Sequence, residues 1–382
     1  MNKKITVLHV ISDSNIGGAG KLLYNLSACI DRNKFEFVFI FPQRSKLCEL
    51  FADLDFTIYT ICYGKDRSFD IRSLRELKKL IKFIEPDIVH THSSLAARMA
   101  ARLCGVPKAR NVYTRHCVFG VPKFMRLRII KFLYRSVDDL LCNNIIAVAN
   151  SAKRELVNFG VRAEKIDIVI NGSLPLKTID KSRKNELKTS LGIRNGEFVV
   201  GISARLEKYK GHEFFIKAAA ISKRNNDNIR FVIMGDGSYR EALVDFSKKL
   251  GVDKGNSPII FTGFVSNVND YMNIFDVNVN CSIGTETSSL SISEGLSLGI
   301  PAIVSNYGGN PNMIKNKKTG LVIEPASPDD LYNAICVLKN NNEIYKSAAM
   351  AAKKDFFERF SAESMAKKYE SIYIRMFCSE ID

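Results

Sequence analysis

The sequence predicts an α/β protein built from two doubly wound domains. Short strands of buried character alternate with helical segments along the chain, the pattern of parallel sheets covered by helices on both faces. The length of 382 residues suits two domains of ordinary size, each able to bury a core. A content of 46% hydrophobic and 25% charged residues is normal for a globular protein, which excludes a disordered chain.

The same composition bears on the cellular compartment. No apolar run approaches eighteen residues, so no transmembrane helix is expected. The first predicted strand begins at Ile5, which leaves no room for a signal peptide. The nine cysteines lie without Cys-x-x-Cys spacing, which is typical of reduced thiols in a cytosol. We therefore expect a cytoplasmic protein.

Positive charge is concentrated in the first half of the chain. Residues 1–173 hold 28 Lys+Arg against 16 Asp+Glu, whereas the remaining residues are close to balance within a total of +16. Such asymmetry predicts an anionic partner for the first domain. No nucleic-acid-binding motif is present, so we expect no nucleic-acid partner and favour an anionic membrane surface.

The first strand, Ile5–Ile11, leads into a turn that contains Gly17, Gly18 and Gly20, and then into a helix. Glycines at a strand-to-helix turn let a ligand approach the backbone closely. The turn lacks the third glycine of the dinucleotide fingerprint, so a plain helix start remains the alternative.

Three histidines follow predicted strands of the first domain. His90 and His92 end one strand, and His116 follows the strand 111–115. The carboxyl ends of parallel strands are where open α/β sheets bind ligands. A metal site is disfavoured because no third ligand is evident, and the alternative for a lone histidine is a packed or capping residue.

The segment Pro122–Arg135 combines apolar, aromatic and basic residues at helical spacing. This pattern is typical of a helix that lies on a membrane surface, with Phe124, Leu127 and Phe132 against the headgroups and Arg126 and Arg128 among lipid phosphates. The alternative is an ordinary surface helix whose apolar side is core.

In the second domain, Arg205 and Lys210 flank the turn after the strand 198–203. An arginine fork and a lysine point charge on one strand-to-helix loop can hold a diphosphate. The alternative is a pair of solvated charges.

The most informative stretch is 284–309, GTETSSLSISEGLSLGIPAIVSNYGG. It predicts a loop that holds Glu286, a helix capped by one of three serines (Ser288, Ser289, Ser291), and Glu294 a turn or so inside that helix. The start of a helix favours a phosphate, and a carboxylate accepts hydrogen bonds from hydroxyls. A ligand with a diphosphate between two polyols is a nucleotide sugar.

This stretch resembles the signature of the retaining glycosyltransferases of family four, and the resemblance extends over nearly the whole chain. The sequence departs from that signature twice: Thr287-Ser288-Ser289 replaces a glycine-aromatic-glycine turn, and Gly295 replaces an alanine. The resemblance implies the GT-B fold, in which two Rossmann-like domains face each other across a deep cleft. It implies an acceptor domain over residues 1–173, a donor domain over 174–360, and a C-terminal helix, 361–382, that crosses back to the first domain.

The resemblance also implies an activity and its residues. It predicts metal-independent transfer of a hexose, with retention, from a nucleotide-diphosphate sugar such as a UDP-sugar to a saccharide or lipid-linked acceptor of a cell-surface polysaccharide, without a cofactor. The implied catalytic residues are His116, Glu286, Arg205 and Lys210. The implied donor-binding residues are Gly17, Gly18, Arg205, Lys210, Val265, Glu286, Ser289, Leu290 and Glu294. The implied acceptor-side residues are His92 and Arg126.

Three other classes stay open at this point. A nucleotide-sugar epimerase of the same fold would bind the donor without transferring its sugar to an acceptor. A non-catalytic nucleotide-sugar-binding protein would show no turnover, and a binder of anionic polymers would show a steep dependence on salt.

Overall fold

The computed structural model describes residues 3–62, 70–92, 94–106, 108–116, 127–253 and 257–378. The chain divides into two compact units. The first unit consists of Met1–Gly172 together with Ala362–Asp382, and the second of Ser173–Ser361. Each unit is an α/β layer structure around its own parallel sheet, as the alternation of strands and helices predicts.

The sheet of the first unit has seven parallel strands in the order β3-β2-β1-β4-β5-β6-β7. The order turns back beside β1, which creates a switch point between β1 and β4. The strands are β1 (Ile5–Ile11), β2 (Phe35–Pro42), β3 (Thr57–Ile61), β4 (Ile88–His92), β5 (Arg110–Arg115), β6 (Asn144–Ala147) and β7 (Ile166–Ile168).

Helices cover both faces of this sheet. They are α1 (Gly18–Cys29), α2 (Lys46–Leu50), α3 (Ile71–Ile84), α4 (Leu95–Leu103), α5 (Arg128–Leu141), α6 (Asn150–Asn158) and, from the C-terminal segment, α14 (Ala362–Cys378). The helix α6 begins at Asn150, and Ala149 occupies its cap position without a side-chain hydrogen bond.

The C-terminal helix α14 forms part of the core of the first unit. Its Tyr369 and Tyr373 are fully buried, and Met365 and Met376 pack in the same apolar cluster as residues of α1 and β2. The carboxylate of Glu370 also accepts a hydrogen bond of 2.9 Å from the backbone N–H of Asp31. Burial of two large aromatic side chains fixes this helix on the sheet.

The sheet of the second unit has six parallel strands in the order β10-β9-β8-β11-β12-β13. They are β8 (Phe198–Ser203), β9 (Ile229–Met234), β10 (Ile259–Gly263), β11 (Val277–Asn280), β12 (Ala302–Ser305) and β13 (Gly320–Ile323). The helices are α7 (Lys181–Ser190), α8 (His212–Arg224), α9 (Arg240–Lys249), α10 (Val268–Met272), α11 (Leu290–Ser297), α12 (Pro328–Asn340) and α13 (Asn342–Asp355). The switch point lies between β8 and β11, so both loops singled out in the sequence leave the sheet at that point.

Candidate functional site

The second unit places an ion pair beside its switch point. Lys210 lies in the loop after β8, and its Nζ donates a hydrogen bond of 2.7 Å to Oε2 of Glu286, in the loop after β11. The Lys210 side chain is 20% exposed and that of Glu286 is 8% exposed. The structure therefore brings together two of the four predicted catalytic residues.

Two further polar side chains hold the same carboxylate oxygen. Asn280 Nδ2 donates to Glu286 Oε2 at 3.2 Å, and Ser282 Oγ lies 2.9 Å from it. Asn310 supports Asn280, since its Nδ2 donates a hydrogen bond of 3.2 Å to the side-chain oxygen Oδ1 of Asn280. We call Lys210, Asn280, Ser282, Glu286 and Asn310 the carboxylate cluster.

The carboxylate cluster keeps Glu286 ionised despite its burial. Burial by itself raises the pKa of a carboxyl group, but the Lys210 ammonium and the hydrogen bonds from Lys210, Asn280 and Ser282 outweigh it and lower the pKa of Glu286. The site is thus a buried, fixed negative charge with a cation at its solvent side.

Close backbone packing fixes the loop that carries Glu286. Gly308 has φ +59°, and a Cβ there would lie 2.2 Å from the Glu286 carbonyl oxygen. A Cβ on Gly309 would lie 1.6 Å from the Thr287 carbonyl oxygen, and the Gly309 N–H donates to Glu286 O at 3.1 Å. The Gly308-Gly309 turn is therefore needed because no larger residue fits against this loop.

The helix α11 begins at Leu290, and Ser289 is its cap, with its Oγ accepting a hydrogen bond of 3.4 Å from the Ile292 N–H. Glu294 lies inside the helix and is half-buried, as the sequence pattern predicts. Gly295 packs on Asn278 of β11, because a Cβ there would lie 2.8 Å from Asn278 Nδ2. The glycine that replaces the alanine of the family signature thus packs against a residue of strand β11.

Other predicted donor-side residues lie outside the carboxylate cluster. Arg205 is exposed, and within the described part of the chain its side chain makes no hydrogen bond or ion pair, whereas its backbone oxygen accepts a hydrogen bond of 2.9 Å from the Glu207 N–H. Val265 follows β10 and is half-buried, two residues after Gly263. In the first unit, Gly17 precedes α1 and Gly18 begins it, with open space where a Cβ on Gly18 would stand.

The first unit assembles a row of histidines along its switch point. His9 Nδ1 lies 3.2 Å from His92 Nε2, and His92 Nδ1 lies 3.0 Å from His116 Nε2. His90 makes separate hydrogen bonds, 2.7 Å to the Tyr373 hydroxyl and 2.6 Å to Thr114 Oγ1. His92 and His116, which were assigned to different roles from the sequence, are in direct contact.

Burial holds these imidazoles neutral. It lowers the pKa of His9, His90 and His92 well below the ordinary value of 6.5, with neighbouring imidazoles as a smaller cause, and it lowers the pKa of His116 to about 4. At neutral pH the row is therefore a set of uncharged donors and acceptors, in contrast to the charged cluster of the second unit.

His90 and His92 do have a histidine as a third neighbour, contrary to the expectation from the sequence, because β1 brings His9 to them. Among the described residues, His9, His90 and His92 form a group whose ring nitrogens could meet a metal ion. Both nitrogens of His90 and both of His92 already have hydrogen-bond partners, so a metal would have to break bonds that the fold makes. The donor set therefore fits a hydrogen-bonded row better than a metal centre.

The basic amphipathic segment is only partly described. Lys123, Phe124 and the predicted acceptor-side residue Arg126 lie outside the described residues. From Leu127 onward the helix α5 exposes large apolar side chains, so the reading that they are core is wrong for most of them. The exposed apolar side chains on or next to α5 are Leu127, Ile129, Phe132, Leu133, Val137 and Leu140.

Sequence reasoning missed residues whose importance depends on long-range pairing. Asn280, Ser282 and Asn310 are ordinary polar residues in the sequence, and only their hydrogen bonds to one another and to Glu286 set them apart. His9 was read as part of a buried strand. The one available signal was that four of the five histidines fall in the first 116 residues, each within a predicted strand or directly after one.

Comparison with known proteins agrees with this architecture. The family model described as Glycosyltransferase Family 4 matches residues 16–173, and the model described as Glycosyl transferases group 1 matches residues 183–355. The chain is 28% identical to the UDP-Gal:alpha-D-GlcNAc-diphosphoundecaprenol alpha-1,3-galactosyltransferase of Escherichia coli, over 98% of each chain.

Solved structures show the same fold. A glycosyltransferase from Rickettsia africae is 21% identical with a TM-score of 0.84, over 99% of this chain and 100% of that one. The Anabaena protein HepE, solved in complex with UDP, is 18% identical with a TM-score of 0.82, over 97% of this chain and 100% of that one. The chain belongs to the group 1 glycosyltransferases of family 4 and has their two-domain GT-B fold.

Proposed function

We propose that this glycosyltransferase moves a hexose from a UDP-sugar to a saccharide or lipid-linked acceptor, with retention at the anomeric carbon and without a metal ion. The observation that carries the proposal is the carboxylate cluster beside the capped start of α11. The name of the Escherichia coli relative specifies a UDP-sugar donor and a diphosphoundecaprenol acceptor, which supports both substrate classes. A product of that class would serve a cell-surface polysaccharide.

The donor diphosphate is assigned to the cations and the helix start of the second unit. The first turn of α11 has backbone N–H groups that have no partner within the helix. The Lys210 ammonium group adds a positive charge near this turn, because it pairs with Glu286 in the loop that precedes α11. Negative charge grows on the leaving diphosphate during glycosyl transfer, so fixed positive groups lower the barrier. Lys210 and Arg205 supply that charge in place of a metal.

The two carboxylates are assigned to the hydroxyls of the donor. Glu286, held ionised by Lys210, Asn280 and Ser282, is assigned to the sugar, and Glu294 to the ribose. Ser289, Leu290 and Val265 complete the donor side. In the first unit, His116 is assigned to the donor sugar, while Gly17 and Gly18 give the phosphates access to the start of α1.

Donor selectivity tests this proposal. We expect one class of UDP-sugar, from a panel of UDP-, GDP- and ADP-sugars, to raise the unfolding temperature, since a ligand at one hundred times its Kd adds about 2.7 kcal/mol. Transfer of labelled sugar to a lipid-linked or saccharide acceptor, active with chelator present, separates a transferase from an epimerase or a binding protein. Stabilisation without transfer or epimerisation would leave only the binding-protein reading.

The apolar face of α5 supports a membrane-bound acceptor. Ile129 is 62% exposed, Phe132 64% and Leu140 58%, while Arg128 and Arg135 are exposed on the same helix. Apolar side chains beside cations suit the surface of an anionic bilayer, where each cation contributes about 1 kcal/mol. Among the described residues, no helix has the length and hydropathy that a membrane span requires.

Co-sedimentation with vesicles tests the membrane contact. Wild-type protein should bind vesicles that contain phosphatidylserine and should be released by salt, because salt screens the charges. Replacement of Arg128, Lys131 and Arg135 by Glu should abolish binding, whereas the control replacement of Lys249, Lys317 and Lys318 should not. Wild-type protein that remains in the supernatant at low salt would refute the contact and leave the transferase proposal intact.

A further inference from the structure

The row formed by His9, His92 and His116 is a chain in which each ring contacts the next. We call these three residues the histidine chain. His9 and His92 are fully buried, at 0% and 1% exposure, and the two contacts of 3.2 and 3.0 Å are of hydrogen-bond length. Each contact joins two ring nitrogens, so one nitrogen of each pair must carry a proton and the other must accept it.

Only two proton arrangements satisfy both contacts in neutral rings. Either every Nδ1 carries the proton, so that His9 donates to His92 and His92 donates to His116, or every Nε2 carries it and both hydrogen bonds run the other way. In the first arrangement the Nε2 of His9 has a bare lone pair. In the second, the Nε2 of His9 has an N–H.

The surroundings of His9 decide between the two arrangements. Within the described residues the Nε2 of His9 is buried and has no hydrogen-bond partner. The ring is packed against Phe37, at 4.5 Å between ring centres, and Phe39, at 5.4 Å. Buried N–H groups without an acceptor are rarer in folded proteins than buried acceptors without a donor, so the first arrangement is favoured.

We propose that His9, through His92, fixes His116 in the Nδ1-protonated form, so that His116 acts on the donor sugar as a hydrogen-bond donor and not as a base. His9 and His92 are then positioning residues. The role of His116 toward the sugar rests on the proposed function, whereas the proton arrangement of the chain does not. The lowered pKa of all three rings supports the argument, because a charged ring would donate from both nitrogens.

Nitrogen-15 NMR of the full chain labelled at histidine reads the arrangement directly. The five histidines can be assigned by single substitutions, and His212 of the second unit serves as an internal reference. At pH 7.5 we expect Nδ1-protonated signals from His9, His92 and His116. Protonation of His116 at Nε2 in the wild-type protein would overturn the proposal, whether or not the protein transfers sugar.

Two variants of His9 test its influence on His116. His9→Leu removes the first donor, so the signal of His116 should shift toward a mixture of the two forms. Its kcat should fall about three- to tenfold with little change in the donor KM, since one neutral hydrogen bond is redirected. His9→Asn keeps an N–H close to the position of Nδ1 and should restore both the signal and most of the kcat.

The alternatives give different results. An unchanged His116 signal in folded His9→Leu would refute the influence of His9, and a failure of this variant to fold leaves the wild-type spectrum and His9→Asn as the test. Loss of the three hydrogen-bonded signals on addition of Zn²⁺ alone would mean a metal site and would refute the proposed proton arrangement of the histidine chain. Correct signals without sugar transfer would refute the proposed function and keep the chain.

Discussion

Both units place polar side chains at the switch point of a parallel sheet, but these side chains are neutral in the first unit and charged in the second. In the first unit, His9, His90 and His92 are buried and neutral, and the histidine chain holds no carboxylate. In the second unit, Lys210 and Glu286 form an ion pair that two neutral side chains complete. The position follows from the parallel sheet, whose strand ends converge at a switch point.

This difference shows under which conditions an imidazole and a carboxylate can be buried. An imidazole loses little on burial because it can give up its proton and still make two hydrogen bonds. A carboxylate can be buried in ionised form only if a cation and several donors compensate, which is why Glu286 needs Lys210, Asn280 and Ser282 as neighbours. Four predictions test or sharpen this contrast.

Acidification should give the largest effect, and it should act on the first unit. A buried histidine whose pKa is lowered stays neutral when folded but takes up a proton when unfolded, so stability is present above pH 6.5 and is lost as the pH falls toward 4. As the pH falls through this range, each such histidine lowers the free energy of unfolding by about 1.4 kcal/mol per pH unit. With four of them, the first unit should lose several kcal/mol between pH 7 and 5.5.

Urea unfolding at the two pH values, combined with limited proteolysis, measures this loss. Cleavage at pH 5.5 should begin within residues 3–172, because the second unit has only His212 as a buried histidine. His116→Asn removes one titrating group and should make the loss smaller. Equal sensitivity of the two units would contradict the contrast.

The fold could be predicted from the sequence, but the site could be predicted only in part. The alternation of strands and helices gave the two sheets, and β1 has the predicted bounds, because hydrophobic periodicity is a local property. The contact between His9 and His92 requires β1 to pair with β4, and the contact between Lys210 and Glu286 joins residues 76 positions apart. Such pairings depend on strand order, which local pattern does not encode.

Breaking the ion pair should give the next largest effect, in the second unit. Lys210→Met leaves Glu286 buried without a cation, and loss of one partner of a buried pair costs roughly 3–5 kcal/mol, with the partial exposure of Lys210 favouring the low end. Lys208→Met, an exposed lysine of the same loop, is the matched control. We expect the Lys210 variant to unfold at a lower urea concentration than the wild-type protein. A change no larger than in the control would show that Asn280 and Ser282 suffice to stabilise the buried Glu286 carboxylate.

A carboxylate of the second unit should govern nucleotide binding, and the histidines of the first should not. Glu294→Ala should weaken binding of UDP about tenfold, since a hydrogen bond to a charged group contributes roughly 1.5–3 kcal/mol. His116→Ala should leave UDP affinity unchanged, because UDP lacks the sugar, and should lower kcat. Titration calorimetry with UDP measures both affinities. Equal affinity in wild type and Glu294→Ala would show that Glu294 does not bind the ribose.

The smallest effect concerns the packing beneath α11. An alanine in a helix is favoured over glycine by roughly 0.8–1 kcal/mol, and the family pattern has alanine where this chain has Gly295. Here the added methyl group would lie 2.8 Å from Asn278 Nδ2, which donates a hydrogen bond of 2.7 Å to the Ser291 carbonyl oxygen. Because overpacking costs typically 1–3 kcal/mol, Gly295→Ala should lower the free energy of unfolding by about 1 kcal/mol.

A double-mutant cycle isolates this contact. In an Asn278→Ala background the methyl group no longer meets the amide, although the Cβ of residue 278 stays 3.2 Å from it. Gly295→Ala should therefore lower the free energy of unfolding less in that background than in the wild-type protein, as urea unfolding measures. An equal loss in both backgrounds would mean that Asn278 is not the reason for glycine at this position.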